Sequence, residues 1–203
     1  MFKKILLIAA MLFAVPAYSE QMDLFSAQYQ DEENTPIRLQ HVYHHTLGWD
    51  RLMLSGINNW DIDDHSDSKR VQIKPRLLLT AYETNGFQFN AVYQYEFFHT
   101  ATVERNSNRY GAGVKYKYKT FSTEVNYLYD EYEETERWDT YVNYRYGKFG
   151  FNNQFWYVPD TERHYEQVTL SYNVWKNVNF QVQRQWLTNA DDIWRTGFSM
   201  RFK

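Results

Sequence analysis

The sequence predicts an all-β protein, a transmembrane antiparallel up-and-down β-barrel of twelve strands. Three observations predict it. Polar and apolar residues alternate with period two over 69 to 80 and again from about residue 85 onward, the mark of strands whose two faces meet different surroundings. Aromatic residues reach 19%, with 18 Tyr, 14 Phe and 7 Trp, and they gather near the strand ends, as in the interfacial girdles of a membrane barrel. Tight connections alternate with long acidic ones, the asymmetry of periplasmic turns and external loops.

In chain order, residues 1 to 19 read as a signal peptide. Lys3 and Lys4 form a basic n-region, Ile5 to Val15 an apolar h-region, and Ala17-Tyr18-Ser19 a small-x-small signal for cleavage before Glu20. Residues 20 to 203 then form a single barrel domain. Segments 22 to 30, 36 to 45 and 49 to 58 alternate most weakly, and without the first two the wall has ten strands. Segment 69 to 80 sets Val71, Ile73, Pro75, Leu77 and Leu79 against Arg70, Gln72, Lys74, Arg76 and Leu78. Pro75 lacks a ladder donor, so a bulge or bend is expected there. The remaining strands are 87 to 97, 109 to 119, 121 to 130, 137 to 146, 149 to 158, 164 to 174, 178 to 187 and 193 to 202. Their lengths suit a tilted bilayer crossing. Short turns fall at Thr46 to Gly48, Asn85-Gly86, Lys119-Thr120, Gly147-Lys148 and Trp175 to Asn177, and Asn-Gly is a two-residue hairpin signal. The longer connections include Asn59 to Ser68, His99 to Asn108 and Glu131 to Glu136.

The 203 residues carry a net charge of -3 and a mean hydropathy of -0.71, values that resemble a soluble protein. In a barrel, however, only alternate residues face lipid, so a low average is compatible with a membrane wall. The competing reading is a soluble sandwich or lipocalin-like barrel, and its core tells against it: the polar faces here are too rich in Arg, Lys, Asn and Gln to pack inside one. The absence of cysteine removes thiol nucleophiles and thiolate metal sites. An exported, Cys-free, aromatic-rich chain is expected in a Gram-negative outer membrane, with lipid as its surrounding partner and no nucleic acid partner.

Strand parity assigns the charges. If the apolar faces meet lipid, Arg38, Arg51, Arg70, Lys74, Arg76, Arg109, Lys115, Lys117, Lys119, Arg137, Arg145, Arg195 and Arg201 point inward. The inward acids are Glu96, Glu124, Asp130 and Asp139, and the other carboxylates, Asp61 to Asp67 among them, fall mainly in loops. Two readings of this basic interior stay open. In one, the charges pair into a closed network that fills a small barrel. In the other, the excess cations are met by water and mobile anions, since a cleft lined by one sign concentrates the opposite ion. Twelve strands lie between a filled eight-stranded barrel and an open sixteen-stranded one and so give a narrow pore, and tracks of Arg and Lys favour anion passage. Inward Tyr141 and Trp156 are either packing or stacking surfaces for a sugar.

Segments Arg109-Tyr110-Gly111-Ala112-Gly113-Val114-Lys115-Tyr116-Lys117-Tyr118, Val142-Asn143-Tyr144-Arg145-Tyr146 and Arg195-Thr196-Gly197-Phe198-Ser199-Met200-Arg201-Phe202 resemble the oligogalacturonate-specific monomeric porin family, KdgM type. The resemblance rests on the C-terminal half and implies a monomeric twelve-stranded channel that passes acidic oligosaccharides and small anions without a cofactor. It places the substrate's carboxylates, of uronate or sialate sugars, along Arg70, Lys74, Arg76, Arg109, Lys115, Lys117 and Arg145. Arg38, Arg195 and Arg201 extend this candidate lumenal track by parity. A second reading keeps the barrel closed and makes it a structural or adhesive protein acting through its acidic loops.

Catalysis is not expected. No serine lies in a Gly-x-Ser-x-Gly elbow. The histidine cluster is His41-Val42-Tyr43-His44-His45, in which His41 and His45 share one strand face and His44 the other. It reads as surface or girdle, metal binding requiring further ligands that the sequence does not identify.

Overall fold

The structure is a computed structural model that describes residues 21–31, 37–47, 51–62, 70–100 and 102–202. The expected signal peptide and its cleavage site lie outside the described residues. Twelve strands follow in order: β1 (Gln21–Gln30), β2 (Ile37–Thr46), β3 (Leu52–Ile62), β4 (Arg70–Thr84), β5 (Phe87–His99), β6 (Glu104–Tyr118), β7 (Phe121–Asp130), β8 (Thr135–Tyr146), β9 (Phe149–Val158), β10 (Arg163–Trp175), β11 (Val178–Leu187) and β12 (Ile193–Phe202). Each pairs antiparallel with its chain neighbours, and β1 pairs with β12 to close the barrel. A short 3-10 turn, Pro159–Thr161, joins β9 to β10.

The weakly patterned N-terminal segments are therefore wall, and the ten-strand alternative falls. Closure explains why. An unpaired strand edge in lipid leaves its N–H and C=O groups without partners, and β1 supplies those partners to β12 from Asp23↔Phe202 to Gln30↔Arg195. Its alternation is real but muted: Ser26, Gln28 and Gln30 are buried inward, while Phe25 and Tyr29 are exposed outward.

Several strands run past their predicted ends. β3 reaches Ile62 and β6 begins at Glu104, which brings Asp61 and Arg105, assigned to loops from the sequence, into the wall. At Pro75 the expected bulge is absent. Pro75 sits opposite Gly56 in an unbroken β3–β4 register, and the β4–β5 pairing passes from Ile73↔Phe97 to Arg76↔Gln94 without a shift. Skipped rungs absorb the missing donor there, and the register shifts instead between Thr80 and Tyr82, near the turn. That turn is Asn85-Gly86, with φ of 47° and 84°, the two positive values a type I′ hairpin requires.

Large aromatics cover the outer surface near both ends, with Tyr146 73% exposed. Inside, one lateral row is apolar. Met53, Leu78, Val92 and Leu128 follow the register across β3, β4, β5 and β7, with Gly111 of β6 between Val92 and Leu128. Val92 and Leu128 are 3% and 0% exposed, so this side of the lumen is packed.

On the outer face the Tyr43 ring lies over Gly56, where an added Cβ would come 2.4 Å from the Tyr43 hydroxyl and 2.6 Å from the Lys74 carbonyl oxygen. Gly56→Val is expected to destabilise the barrel by about 1–3 kcal/mol in urea unfolding followed by Trp fluorescence. In a Tyr43→Ala background the loss should be smaller but not zero, because the Lys74 carbonyl remains.

Candidate functional site

Alternation puts the lumenal charges at fixed heights between a loop end, where β1–β2, β3–β4 and the like connect, and a turn end. Near the loop end the cations are paired. Arg38 faces Asp61 across β2–β3 and holds both its oxygens at 2.6 Å, and Arg70, opposite Asp61 on β4, adds a contact of 3.3 Å. Arg109 reaches Asp130 of β7 at 2.6 Å and Glu96 of β5 at 2.5 Å. Glu96 also collects Lys74 at 3.4 Å, Arg105 at 3.9 Å and the Gln72 amide at 2.6 Å. Arg137 binds Asp139, two residues along the same strand and on the same face, at 2.5 and 3.0 Å. Arg76 crosses from β4 to Glu124 on β7. Arg195 is buried among amides, donating to Gln30, Gln183 and Gln185 at 2.7 to 3.0 Å.

The Arg76–Glu124 pair already lies toward the turn end, level with Lys115, and beyond it the pairing thins. Among the described residues, Lys115, Lys117, Arg145 and Arg201 have no carboxylate within ion-pairing distance. Lys115 stands opposite Glu124, whose carboxylate is taken by Arg76, while the other three have neutral register partners: Lys117 stands beside Ser122, Arg145 beside Gly150 and Arg201 beside Leu24. Two cations expected inward sit on turns instead. Arg51 is exposed just ahead of β3, and Lys119 (φ 50°) lies over the Tyr118 ring at 5.1 Å. Parity ends where the backbone turns, which is why it misplaced both.

Paired and unpaired cations thus occupy largely different heights. Arg38, Arg70, Lys74, Arg76 and Arg109 belong to an ion-pair lattice, whereas Lys115, Lys117, Arg145 and Arg201 are charges that water or a solute must meet. Sequence reasoning missed Asp61, Arg105, Glu133 and Arg163 as lumenal groups. For Asp61 and Arg105 the signal existed, because Asn59-Trp60-Asp61 and Arg105-Asn106-Ser107-Asn108-Arg109 continue the parity of their strands. For Glu133, on a turn, no periodicity was available. The inward aromatics are already engaged: Arg76 sits 5.3 Å from the Tyr141 ring, and the Trp156 ring has Arg137 at 4.7 Å and a parallel Tyr165 at 5.6 Å. They pack cations rather than present open stacking faces.

The histidine cluster divides as the strand period requires. His41 and His45 both contact Asp23 on the outer face, at 2.8 and 3.2 Å, with the Phe25 ring stacked 4.3 Å from His41. Among the described residues, no group of His, Cys, Asp and Glu is arranged to hold a metal ion.

A closed twelve-stranded barrel with aromatic outer bands and a charged interior defines the outer-membrane β-barrel class. Within it, the chain shares the fold of the KdgM porin, with a TM-score of 0.63 and 13% identity over 90% of this chain and 99% of that one. It is similarly close to the KdgM porin in complex with disordered oligogalacturonate (0.61, 14%, 90% and 99%) and to the NanC porin (0.58, 12%, 88% and 98%). The outer membrane phospholipase A of Escherichia coli has the same fold (0.60, 11%, 90% and 97%). No family model and no curated protein sequence matches the chain. At these identities the likeness is one of fold.

Arg137 is buried and its carboxylate partner is Asp139. Asp139→Asn is expected to lower stability by about 3 kcal/mol in chemical unfolding, because an uncompensated guanidinium stays in the wall. Replacing both residues with Leu should cost clearly less than Asp139→Asn alone.

Proposed function

We propose that this chain is a porin of the Gram-negative outer membrane, a monomeric, anion-selective, passive channel. Its solutes are small acidic oligosaccharides, oligogalacturonate or other uronate or sialate sugars. Export by the 1 to 19 signal peptide belongs to the same reading. The observation that carries it is the set of lumenal cations toward the turn end, Lys115, Lys117, Arg145 and Arg201, which among the described residues have no carboxylate at ion-pairing distance. The fold shared with the KdgM and NanC porins supports it, as does the oligogalacturonate bound to one of them.

The mechanism follows from where charge is compensated. Near the loop end the lumenal acids Asp61, Glu96, Asp130 and Asp139 are each held by Arg or Lys, so the lattice shapes the lumen while its charges largely cancel. Nearer the periplasm, uncancelled cations in a narrow low-dielectric wall concentrate anions. Successive carboxylates of a sugar chain exchange part of their hydration for these groups, and several weak sites in series let the solute leave.

The same fold carries a phospholipase, so the non-enzymatic reading rests on side chains. The described histidine contacts are to Asp23, Glu104 and Thr188 rather than to a serine. The loop-end lattice and the apolar row favour one competitor, a closed barrel that acts through its acidic loops.

Reversal potentials in a KCl gradient across a planar bilayer decide the selectivity. Anion preference is expected, and cation preference or no conductance overturns the proposal. The sequence alone points to Arg70, Lys74 and Arg76 as the residues to neutralise. The structure shifts the main test to Gln at Lys115, Lys117, Arg145 and Arg201, which should abolish most of the preference while leaving the ion-pair lattice in place. Liposomes carrying the wild-type protein should swell in galacturonate oligomers, whereas a closed barrel admits none.

A further inference from the structure

The turn between β7 and β8 is built to aim one side chain. Asp130, at the end of β7, accepts hydrogen bonds on Oδ1 from the backbone N–H groups of Tyr132 at 3.0 Å and Glu133 at 3.2 Å. This local capping is the ordinary way a short Asp side chain fixes a turn. The Glu133 carboxylate is thereby held over the loop end of the lumen. Its Oε1 accepts from Arg105 Nη1 of β6 at 2.9 Å and its Oε2 from Arg163 Nη2 of β10. β6 and β10 are not neighbours in the wall, since β7, β8 and β9 stand between them. One carboxylate therefore links two guanidinium groups across the mouth.

Around this contact is a cavity of about 190 Å³ whose lining includes Arg105, Arg109, Arg137, Trp156 and Arg163 as well as Glu133. Its size is below the roughly 300 Å³ at which pockets for whole small molecules begin, so it suits a carboxylate and part of one sugar rather than an oligosaccharide. Glu133 differs from the other acids of the lattice in two respects. Asp61, Glu96, Asp130, Asp139 and Glu124 are carried by strands, the first four with side chains 3% exposed or less and Glu124 10%. Glu133 is carried by a turn, and its side chain is 20% exposed, facing Arg105 at 28% and Arg163 at 41%. Ion pairs that water reaches contribute little net stability, whereas breaking a fully buried pair strands a charge. Among these acids, Glu133 can leave and be replaced at small cost.

We propose that Arg105 and Arg163 form the channel's outermost carboxylate site and that Glu133 is its tethered occupant, which the carboxylate of an incoming acidic sugar displaces. The proposal rests on the reading of the chain as a channel for acidic sugars and assigns that channel its first docking point. The exchange conserves charge: one carboxylate leaves the two guanidinium groups as another arrives, so no unpaired cation is exposed during entry. Arg163 has a further contact, Thr161 Oγ1 at 2.9 Å from its Nε, which keeps the guanidinium in position when Glu133 departs.

Calorimetric titration of trigalacturonate into the detergent-folded full-length protein tests this without requiring conduction. Glu133→Gln removes the competitor and should tighten binding about tenfold, the scale of one charge-assisted contact. Glu134→Gln, which removes the same charge from the same turn, should leave affinity near the wild-type value. Adding Arg163→Gln to Glu133→Gln should erase the gain. Equal affinities for Glu133→Gln and Glu134→Gln, no binding by either, or a gain that survives Arg163→Gln would overturn the proposal. Far-UV circular dichroism verifies that each variant keeps its strands, and if Glu133→Gln does not fold, Glu133→Ala carries the same comparison. Cation preference in bilayers would instead defeat the channel reading, a separate outcome measured on the wild-type protein.

Discussion

Everything in this barrel depends on one constraint: within lipid, each backbone N–H and C=O must find its partner inside the wall. β1 and β12 meet that demand for each other, and their pairing makes a closed surface with an inside and an outside. Once the surface is closed, the two-residue period of a strand is no longer a local property. It decides for the whole chain which side chains meet hydrocarbon and which meet one another in a space too narrow for each to keep its own hydration. The outward aromatics and the inward guanidinium groups are two results of the same geometry.

Inside that space, position along the pore axis separates two kinds of charge. The register places Asp61 opposite Arg38 and Asp130 opposite Arg109, and both pairs are buried, whereas Lys115 stands opposite Glu124 and loses it to Arg76. Such pairs fix side-chain positions more surely than they add stability, because the desolvation of both ions offsets much of their attraction. Where the opposite residue is Ser, Gly or Leu, the cation remains for the solvent to answer. The apolar row from Met53 to Leu128 packs one side of the lumen, leaving the polar groups of the remaining strands to line the path.

Much of this was legible in the sequence, and the failures have physical causes. Strand number, closure and the inward direction of Arg109, Lys115 and Arg145 follow from periodicity, since a two-faced wall writes its environment into every second residue. The ends of β3 and β6 did not follow, because acidic and polar residues signal a loop even where they continue the parity of a strand, and Asp61 and Arg105 were lost to that signal. Pro75 was expected to bend its strand, but a single missing donor is absorbed by skipped rungs when the neighbour opposite is Gly56. Which cations would be compensated was beyond parity altogether. That depends on cross-strand register, and register is set by turns and bulges far from the charged residues themselves.

The uneven pairing of the lumen also gives the barrel an electrical direction. Acidic loops and a neutralised lattice lie at one mouth, and bare cations lie toward the other, so the potential along the axis is a slope rather than a symmetrical well. On the channel reading, an anion driven inward would descend that slope and then climb out against a short attraction, while one driven outward would meet the attraction first and the acidic rim last. Between baths at equal potential the highest barrier is the same from either side, so the asymmetry shows only when a voltage tilts the profile. On the channel reading proposed above, a wall made only of alternating residues would thereby pass current unequally at the two signs of voltage, as a weak rectifier.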